Sequence, residues 1–352
     1  MRVVPDVDGG PPVEGCSVKP FFESSDVTIF QADSREAWKH LPEHSVDAIV
    51  TSPPYFGLRD YGVDGQVGLE DNPQEYVDDL ADLLTGYGSR VLKPGGSLWL
   101  NLGDTYSNTA AGWDNKMNER REGGSDDKQR AHEDRMKGRK RGVDFPSKCL
   151  LMIPERVALA LIARGWILRN RVVWAKPNGM PSSVTDRLST KHEALFHLVR
   201  QPRYYYDLDA IREPHSTVDE NGNIVGWGKP ATTDWRERAN NGATSAAGLG
   251  LSMMGGHPSG KNPGDVWTIP TQPYPDAHFA VFPPELVRRP ILATVPEGGT
   301  VLDPFFGSGT TAVMARKLGR KAVGVELNPD YCRLAADRFR QDVLTFDEEV
   351  SA

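Results

Sequence analysis

The chain has 352 residues, of which 38% are hydrophobic and 25% charged, and its formal net charge is −7. That composition excludes a disordered chain and suits one large α/β domain with insertions, or two small domains. No run of about 18 apolar residues and no basic-then-apolar leader is present, so a membrane span and a secretory signal are not expected. Cys16, Cys149 and Cys332 lie far apart. Such spacing fits neither a zinc site nor a disulfide framework; it suits a reducing cytoplasm and implies no metal. The acidic total weighs against nucleic acid only weakly, because phosphate contacts depend on local basic patches.

In chain order, residues 1–20 are rich in Pro, Gly and Asp and read as a loose tail. Val27–Gln31 reads as a strand, and Val46–Val50 as a buried strand that stops at Thr51-Ser52-Pro53-Pro54. Residues 73–91 have helical spacing behind an Asn72-Pro73 cap, with Tyr76, Leu80, Leu84 and Tyr87 on one face. Lys93–Gly96 reads as a turn and Ser97–Leu102 as a strand. Residues 107–143 are polar, with ten Lys/Arg and six Asp/Glu between 116 and 141, and read as a long loop. Pro154–Arg164 is a predicted helix, and Trp166–Trp174 and Glu193–Val199 are predicted strands. Residues 214–262 are rich in Gly, Ser and Asn. The last third returns to α/β order: helix Pro284–Thr294, strand Thr300–Asp303, helix Thr310–Leu318, strand Lys321–Glu326 and helix Pro329–Arg340. Alternation of this kind implies a parallel-rich sheet with helices on both faces and ligands at the carboxyl ends of its strands.

Two segments meet that description. Asp303-Pro304-Phe305-Phe306-Gly307-Ser308-Gly309-Thr310-Thr311 runs from strand through loop to helix. Its glycines let a ligand approach the backbone, and the helix start offers free N–H groups. Glu326 follows 23 residues after Asp303, at the end of the next strand, where an acid can accept from two ribose hydroxyls. The loop lacks a Gly-Lys-Ser/Thr ending and is not a nucleoside-triphosphate loop. A tight βα turn with a surface glutamate is the plain alternative for such a short motif. The second segment, Ser52-Pro53-Pro54-Tyr55, makes a rigid strand exit that aims a hydroxyl and a carbonyl at an amino group and offers a flat ring for stacking. Its plain alternative is a proline turn with a core tyrosine.

Val50–Tyr55 resembles the catalytic motif of DNA amino-methyltransferases, in the form associated with N4-cytosine enzymes, and Asp303–Thr310 resembles their S-adenosylmethionine (AdoMet) motif. Gly324–Pro329, Gln31–Ser34, Pro263–Trp267 with His278–Pro283, Val172–Pro177 and His192-Glu193 resemble further family segments. With the catalytic motif first and the AdoMet motif last, the order is similar to the circularly permuted beta-type enzymes. The resemblance implies a Rossmann-like, mostly parallel seven-stranded sheet with helices on both faces and loop insertions. The catalytic domain would span 21–202 and 263–345, with target recognition in 203–262. It implies Ser52, Pro53, Pro54 and Tyr55 as catalytic residues. Asp33, Asp265, Asp303, Phe305, Gly307, Gly309, Thr310, Thr311, Glu326 and Asn328 would serve AdoMet.

The reaction implied is direct methyl transfer from AdoMet to the amine of a flipped base in double-stranded DNA, without a metal. C5-cytosine methylation is excluded, since it needs a cysteine nucleophile after proline and none of the three cysteines follows one. Adenine N6 is the alternative to cytosine N4; its enzymes more often carry Asp at the position of Ser52. RNA or protein-glutamine methylation is more distant, because Asn usually precedes Pro-Pro-Tyr there. An inactive DNA-binding module predicts damage in the glycine loop, which is intact. DNA contacts are expected from Lys137, Arg139, Lys140 and Arg141, and from Arg203, Tyr204 and Arg236, residues suited to phosphates and base edges. A solvated loop and a small local core are the plain alternatives for these two regions. A separate restriction enzyme is a possible partner, and the chain is expected to be a monomer or homodimer.

Overall fold

The computed structural model describes residues 19–58, 60–107, 144–179, 182–215, 259–271 and 283–349. All of the expected 107–143 loop beyond Ser107, the basic run Lys137–Arg141 within it, Arg236 and segment 278–282 lie outside these residues. The chain divides into two compact units, Asp207–Gly264 and the remainder. In the smaller unit the described residues form a short 3-10 turn, Asp209–Ile211, and a bridge between Glu213 and Lys261.

The larger unit is built on one sheet of nine strands: β1 (Phe22–Glu23), β2 (Val27–Gln31), β3 (Val46–Thr51), β4 (Leu92–Leu102), β5 (Ile167–Ala175), β6 (His192–Val199), β7 (Val266–Thr268), β8 (Thr300–Asp303) and β9 (Lys321–Glu326). Their order is β1-β2-β9-β8-β3-β4-β6-β5-β7. The expectation of seven strands holds for the block from β2 to β5; the short β1 and β7 add one strand at each edge. Strands β2, β9, β8, β3 and β4 run parallel, β6 is reversed between β4 and β5, and β7 is parallel to β5.

Among the described residues six helices accompany the sheet: α1 (Ser34–Ala37), α2 (Pro73–Arg90), α3 (Ile153–Ala163), α4 (Pro284–Thr294), α5 (Thr310–Lys317) and α6 (Pro329–Glu349). Strand β3 is buried along its whole length, as a central parallel strand covered on both faces must be. Its residues alternate between two cores. Val46 and Ile49 pack with Leu80 and Leu84 of α2 and Leu161 of α3. Ala48 and Val50 pack with Leu286 and Ile291 of α4, Ala312 of α5 and Ala335 of α6. Helix α2 begins where Asn72 Oδ1 accepts from the Glu75 N–H at 2.9 Å and Pro73 takes the first turn. Helix α3 has no side-chain cap at Met152; Asp104, at the carboxyl end of β4, accepts from the Ile153 N–H at 3.0 Å instead.

One local expectation is corrected. Lys93–Gly96 is not a turn but part of β4, whose ladder with β3 shifts register between the pairs Val46–Leu92 and Ala48–Ser97. The Gly95 carbonyl accepts from the Tyr205 N–H at 3.0 Å, so pairing there outweighs the local preference of Pro94-Gly95-Gly96. No helix among the described residues is long and apolar enough to cross a membrane.

Candidate active site

The carboxyl ends of β3 and β8 are neighbours, and a buried carboxylate joins them. Asp303 Oδ1 accepts from the Thr51 hydroxyl at 2.7 Å and from the Phe305 N–H at 3.1 Å. Its Oδ2 accepts from the Thr311 hydroxyl at 2.7 Å. Burial raises the Asp303 carboxyl to about 7 against the pull of these three donors. One side chain thus ties the Ser-Pro-Pro-Tyr exit, the glycine loop and the start of α5.

The glycine loop turns tightly after Asp303. Gly307 (φ 53°) and Gly309 (φ 80°) take left-handed backbone that other residues rarely adopt. A Cβ on Gly307 would meet nothing within 4 Å, whereas one on Gly309 would press on the rings of Phe306 and Phe339 at 3.2 Å. Phe306 lies over Gly324 of β9, where a Cβ would stand 2.3 Å from its ring. Glu326 closes the loop: Oε2 accepts from the Gly307 N–H and Oε1 from the Asn328 N–H, both at 2.8 Å. Burial raises the Glu326 carboxyl above its ordinary value, against those two N–H donors. Each oxygen retains capacity for a second hydrogen bond. Asp33 caps α1 and pairs with Arg35 at 2.6 Å. Burial acts to raise the Asp33 carboxyl, but the bonds and charge of Arg35 hold it below its usual value.

The Ser-Pro-Pro-Tyr exit is equally constrained. Tyr76 of α2 donates to the Pro54 carbonyl at 3.0 Å. Pro53 is buried, and among the described residues no backbone N–H donates to its carbonyl. Ser52 Oγ stands 3.2 Å from Asn101 Oδ1 and 3.4 Å from Tyr55 Oη. Tyr55 Oη lies 3.0 Å from Asn101 Oδ1 and 2.8 Å from Glu193 Oε2. Lys176 Nζ bonds the other Glu193 oxygen and sits 4.3 Å over the Trp174 ring. Burial and the Glu193 carboxylate push the Tyr55 phenol well above its usual range, so it keeps its proton. Gly103 fits beneath this ring; a Cβ there would lie 2.5 Å from it.

Both segments open into one cavity of about 410 Å³, within the roughly 300–1,000 Å³ typical of small-molecule sites. Asp33, Phe305, Gly307, Thr310, Glu326 and Asn328 line one part of it, and Ser52, Pro53, Pro54 and Tyr55 another. Asp303 and Thr311 are buried and act through the lock described above. Asp265 is not brought in: its side chain is exposed, and its carbonyl accepts from the Val173 N–H at 2.8 Å beside β7. Tyr204 is also placed elsewhere. Its ring meets buried His197 edge-on at 5.6 Å and its hydroxyl accepts from Arg169 at 2.9 Å. It and the exposed Arg203 follow β6, toward the amino end of β4 and away from the cavity. Asn101, Lys176, Glu193 and Trp174 line the cavity as well and were not singled out for the site from the sequence. Asn101 was within reach of that reading, since it ends the strand next to β3.

A Rossmann-like block of seven strands with one of them reversed, and a glycine loop and strand-end acid around a cavity, define the fold class of AdoMet-dependent methyltransferases. A family profile described as DNA methylase, of the N6/N4 type, matches residues 46–337. The Type II methyltransferase M.SmaI of Serratia marcescens is 39% identical over 316 residues, spanning 88% of this chain and 89% of that protein. The Type II methyltransferase M.Cfr9I of Citrobacter freundii is 38% identical over 324 residues, spanning 90% and 89%. The solved structure of PvuII DNA methyltransferase, described as cytosine-N4-specific, aligns with a TM-score of 0.58 at 19% identity, covering 92% of this chain and 90% of that one. At that identity the likeness speaks for the fold. The chain belongs to the N6/N4 DNA methylase family and is an AdoMet-dependent DNA amino-methyltransferase with the permuted motif order.

The residues present fit AdoMet. The cavity has room for it, the Glu326 carboxylate on its wall has spare acceptor capacity for ribose hydroxyls, and the start of α5 offers N–H groups suited to a carboxylate.

Proposed function

We propose that the methylated position is the N4 amine of cytosine and that Ser52, Pro53 and Tyr55 present it. The observation that carries this reading is the shared cavity, in which a hydroxyl, an unengaged carbonyl and an aromatic ring stand beside the glycine loop. When bound, AdoMet supplies an electrophilic methyl group on a sulfonium sulfur, which keeps the electron pair of the broken carbon–sulfur bond. Glu326 holds the ribose hydroxyls, Asp33 lies on the adenine side, and the loop from Gly307 to Thr310 receives the carboxylate. The Tyr55 ring stacks on the flipped base. Ser52 Oγ and the Pro53 carbonyl accept hydrogen bonds from the amine, drawing its lone pair out of conjugation and toward the methyl carbon. Serine at position 52, where adenine enzymes more often carry Asp, favours cytosine, and the PvuII enzyme, described as cytosine-N4-specific, shares the fold.

Target recognition is assigned to residues 203–262, on their place between the central segments and the Pro263-Gly264-Asp265 motif. We also assign the chain to the modification half of a restriction–modification pair, on the Type II names of its relatives.

The test is direct. Incubation with AdoMet and unmodified DNA, digestion to nucleosides and mass spectrometry are expected to give N4-methylcytosine. N6-methyladenine would overturn the base assignment, and no methylated base on diverse DNA would overturn the enzymatic reading.

A further inference from the structure

Methyl transfer leaves a proton to be removed. Once the amine nitrogen has given its lone pair to the methyl carbon, it bears four bonds and a positive charge, and one N–H must be lost to restore a neutral methylamine. The groups nearest that nitrogen in the proposed reading are Ser52 Oγ and the Pro53 carbonyl, and neither holds an added proton at neutral pH. Asn101, which touches Ser52, offers only an amide oxygen, since its amide nitrogen donates to the Ala194 carbonyl at 3.1 Å. The carboxylate in contact with this network is Glu193, reached through Tyr55.

We infer that the proton leaves along the chain Ser52 Oγ, Tyr55 Oη, Glu193 Oε2, making Glu193 the proton acceptor of the reaction. The links are 3.4 Å and 2.8 Å long. The phenol has one proton, and its shorter, charge-assisted partner is Glu193, which leaves its oxygen free to accept from Ser52. The balance closes: Ser52 takes the amine proton and passes its own to Tyr55, Tyr55 passes its own to Glu193, and carboxylate becomes carboxylic acid. The phenol's preference for keeping its proton suits concerted transfer, in which it is never left as a phenolate. Lys176 bonds Oε1, so Oε2 is the oxygen turned to the relay. The groups facing Glu193 are Tyr55 from the β3 exit, Trp174 of β5 and Lys176 just beyond it.

This inference rests on the roles given to Ser52 and Tyr55 above, and its test separates the two. Single-turnover methylation by the full chain is measured against pH for the unaltered enzyme, Glu193→Gln, Tyr55→Phe and the double variant, with AdoMet affinity measured by calorimetry. Glutamine still accepts the Tyr55 hydrogen bond but takes no proton. The expected result is unchanged AdoMet affinity, a loss of about 100-fold in Glu193→Gln, the low end of what a positioned proton acceptor contributes, and loss of the acid limb of the pH profile. Tyr55→Phe keeps the ring and breaks the relay, and a serial path predicts that the double variant is no slower than the slower single one. A Glu193→Gln rate close to that of the unaltered enzyme, or additive losses in the double variant, would overturn the relay and leave the methyltransferase reading intact. Absence of methylation by the unaltered chain would overturn that reading, and the relay with it.

Discussion

Thr51 and Asp303, 252 residues apart in the chain, meet through a 2.7 Å hydrogen bond at the centre of the sheet edge. The first residue begins the exit that carries Ser52, and the second begins the loop that carries Gly307. A buried carboxylate that loses a donor pays its desolvation without return. Thr51→Val is therefore expected to cost about 1–3 kcal/mol in urea unfolding. Thr51→Ser, which keeps the hydroxyl, is expected to restore most of that loss; equal losses in both would show that the methyl group, not the bond, matters.

Asp303 also sets a pH dependence. Its folded value of about 7 lies above the unfolded value of about 3.9, so the native state binds this proton more tightly. Its contribution to stability is full on the acid side of that window and is lost as pH rises through about 7. Asp303→Asn removes the charge and keeps the shape. The difference in Tm between the variant and the unaltered chain is expected to change across this window, in favour of the variant as pH rises. A constant difference from pH 4 to pH 8 would sink the assignment.

Gly324 of β9 and Gly307 of the glycine loop should fail in different ways. Gly324→Ala drives a methyl group into the Phe306 ring, 2.3 Å away, and overpacking of this kind costs about 1–3 kcal/mol. Gly307→Ala meets open space. Its left-handed backbone costs about 1–2 kcal/mol, and its methyl group intrudes on the ligand. Thermal melting should rank Gly324→Ala as no more stable than Gly307→Ala, and calorimetry should find AdoMet binding weakened by Gly307→Ala even where that variant is well folded.

Glu326→Ala removes the acceptor of two backbone N–H groups and, in the proposed reading, of the ribose hydroxyls. AdoMet affinity is expected to fall at least tenfold, about 1.4 kcal/mol. Glu326→Gln, which accepts through only one oxygen, is expected to fall between. Undiminished affinity in the alanine variant would remove Glu326 from the cofactor site.

Ser52→Ala is expected to leave AdoMet affinity unchanged and to lower the single-turnover rate by about 100-fold or more, as loss of an orienting group does. Activity near that of the unaltered chain would remove the hydroxyl from the mechanism.

The parts of the site legible in the sequence are those whose chemistry is local. A buried strand that ends in two prolines stops where it must, and a strand, glycine loop and helix read in a line mark a loop that the structure places on the cavity wall. Asn101, Lys176 and Glu193 belong to strands whose neighbours are set by the order of the sheet, and nothing near Glu193 in sequence says that β6 is reversed. Because it is, the beginning of that strand, not its end, reaches the reactive edge. The place of Tyr204 was hidden for the same reason: the strand before it carries it toward the other edge, against His197. Asp265 contributes to the architecture through its carbonyl, which side-chain identity does not reveal.

The pairing of Trp174 with Glu193 in the β5–β6 hairpin has an arithmetic of its own. Side chains along a strand alternate faces, so a slip of one residue exchanges Glu193 for Ala194 or His192. A single-residue deletion within the first turn of β6 would thus leave a hairpin able to fold yet chemically mute. Insertions in the connecting loop, which leave the ladder untouched, would be tolerated. Diversification of this rim should therefore proceed through loop length, with the parity of the two strands held constant.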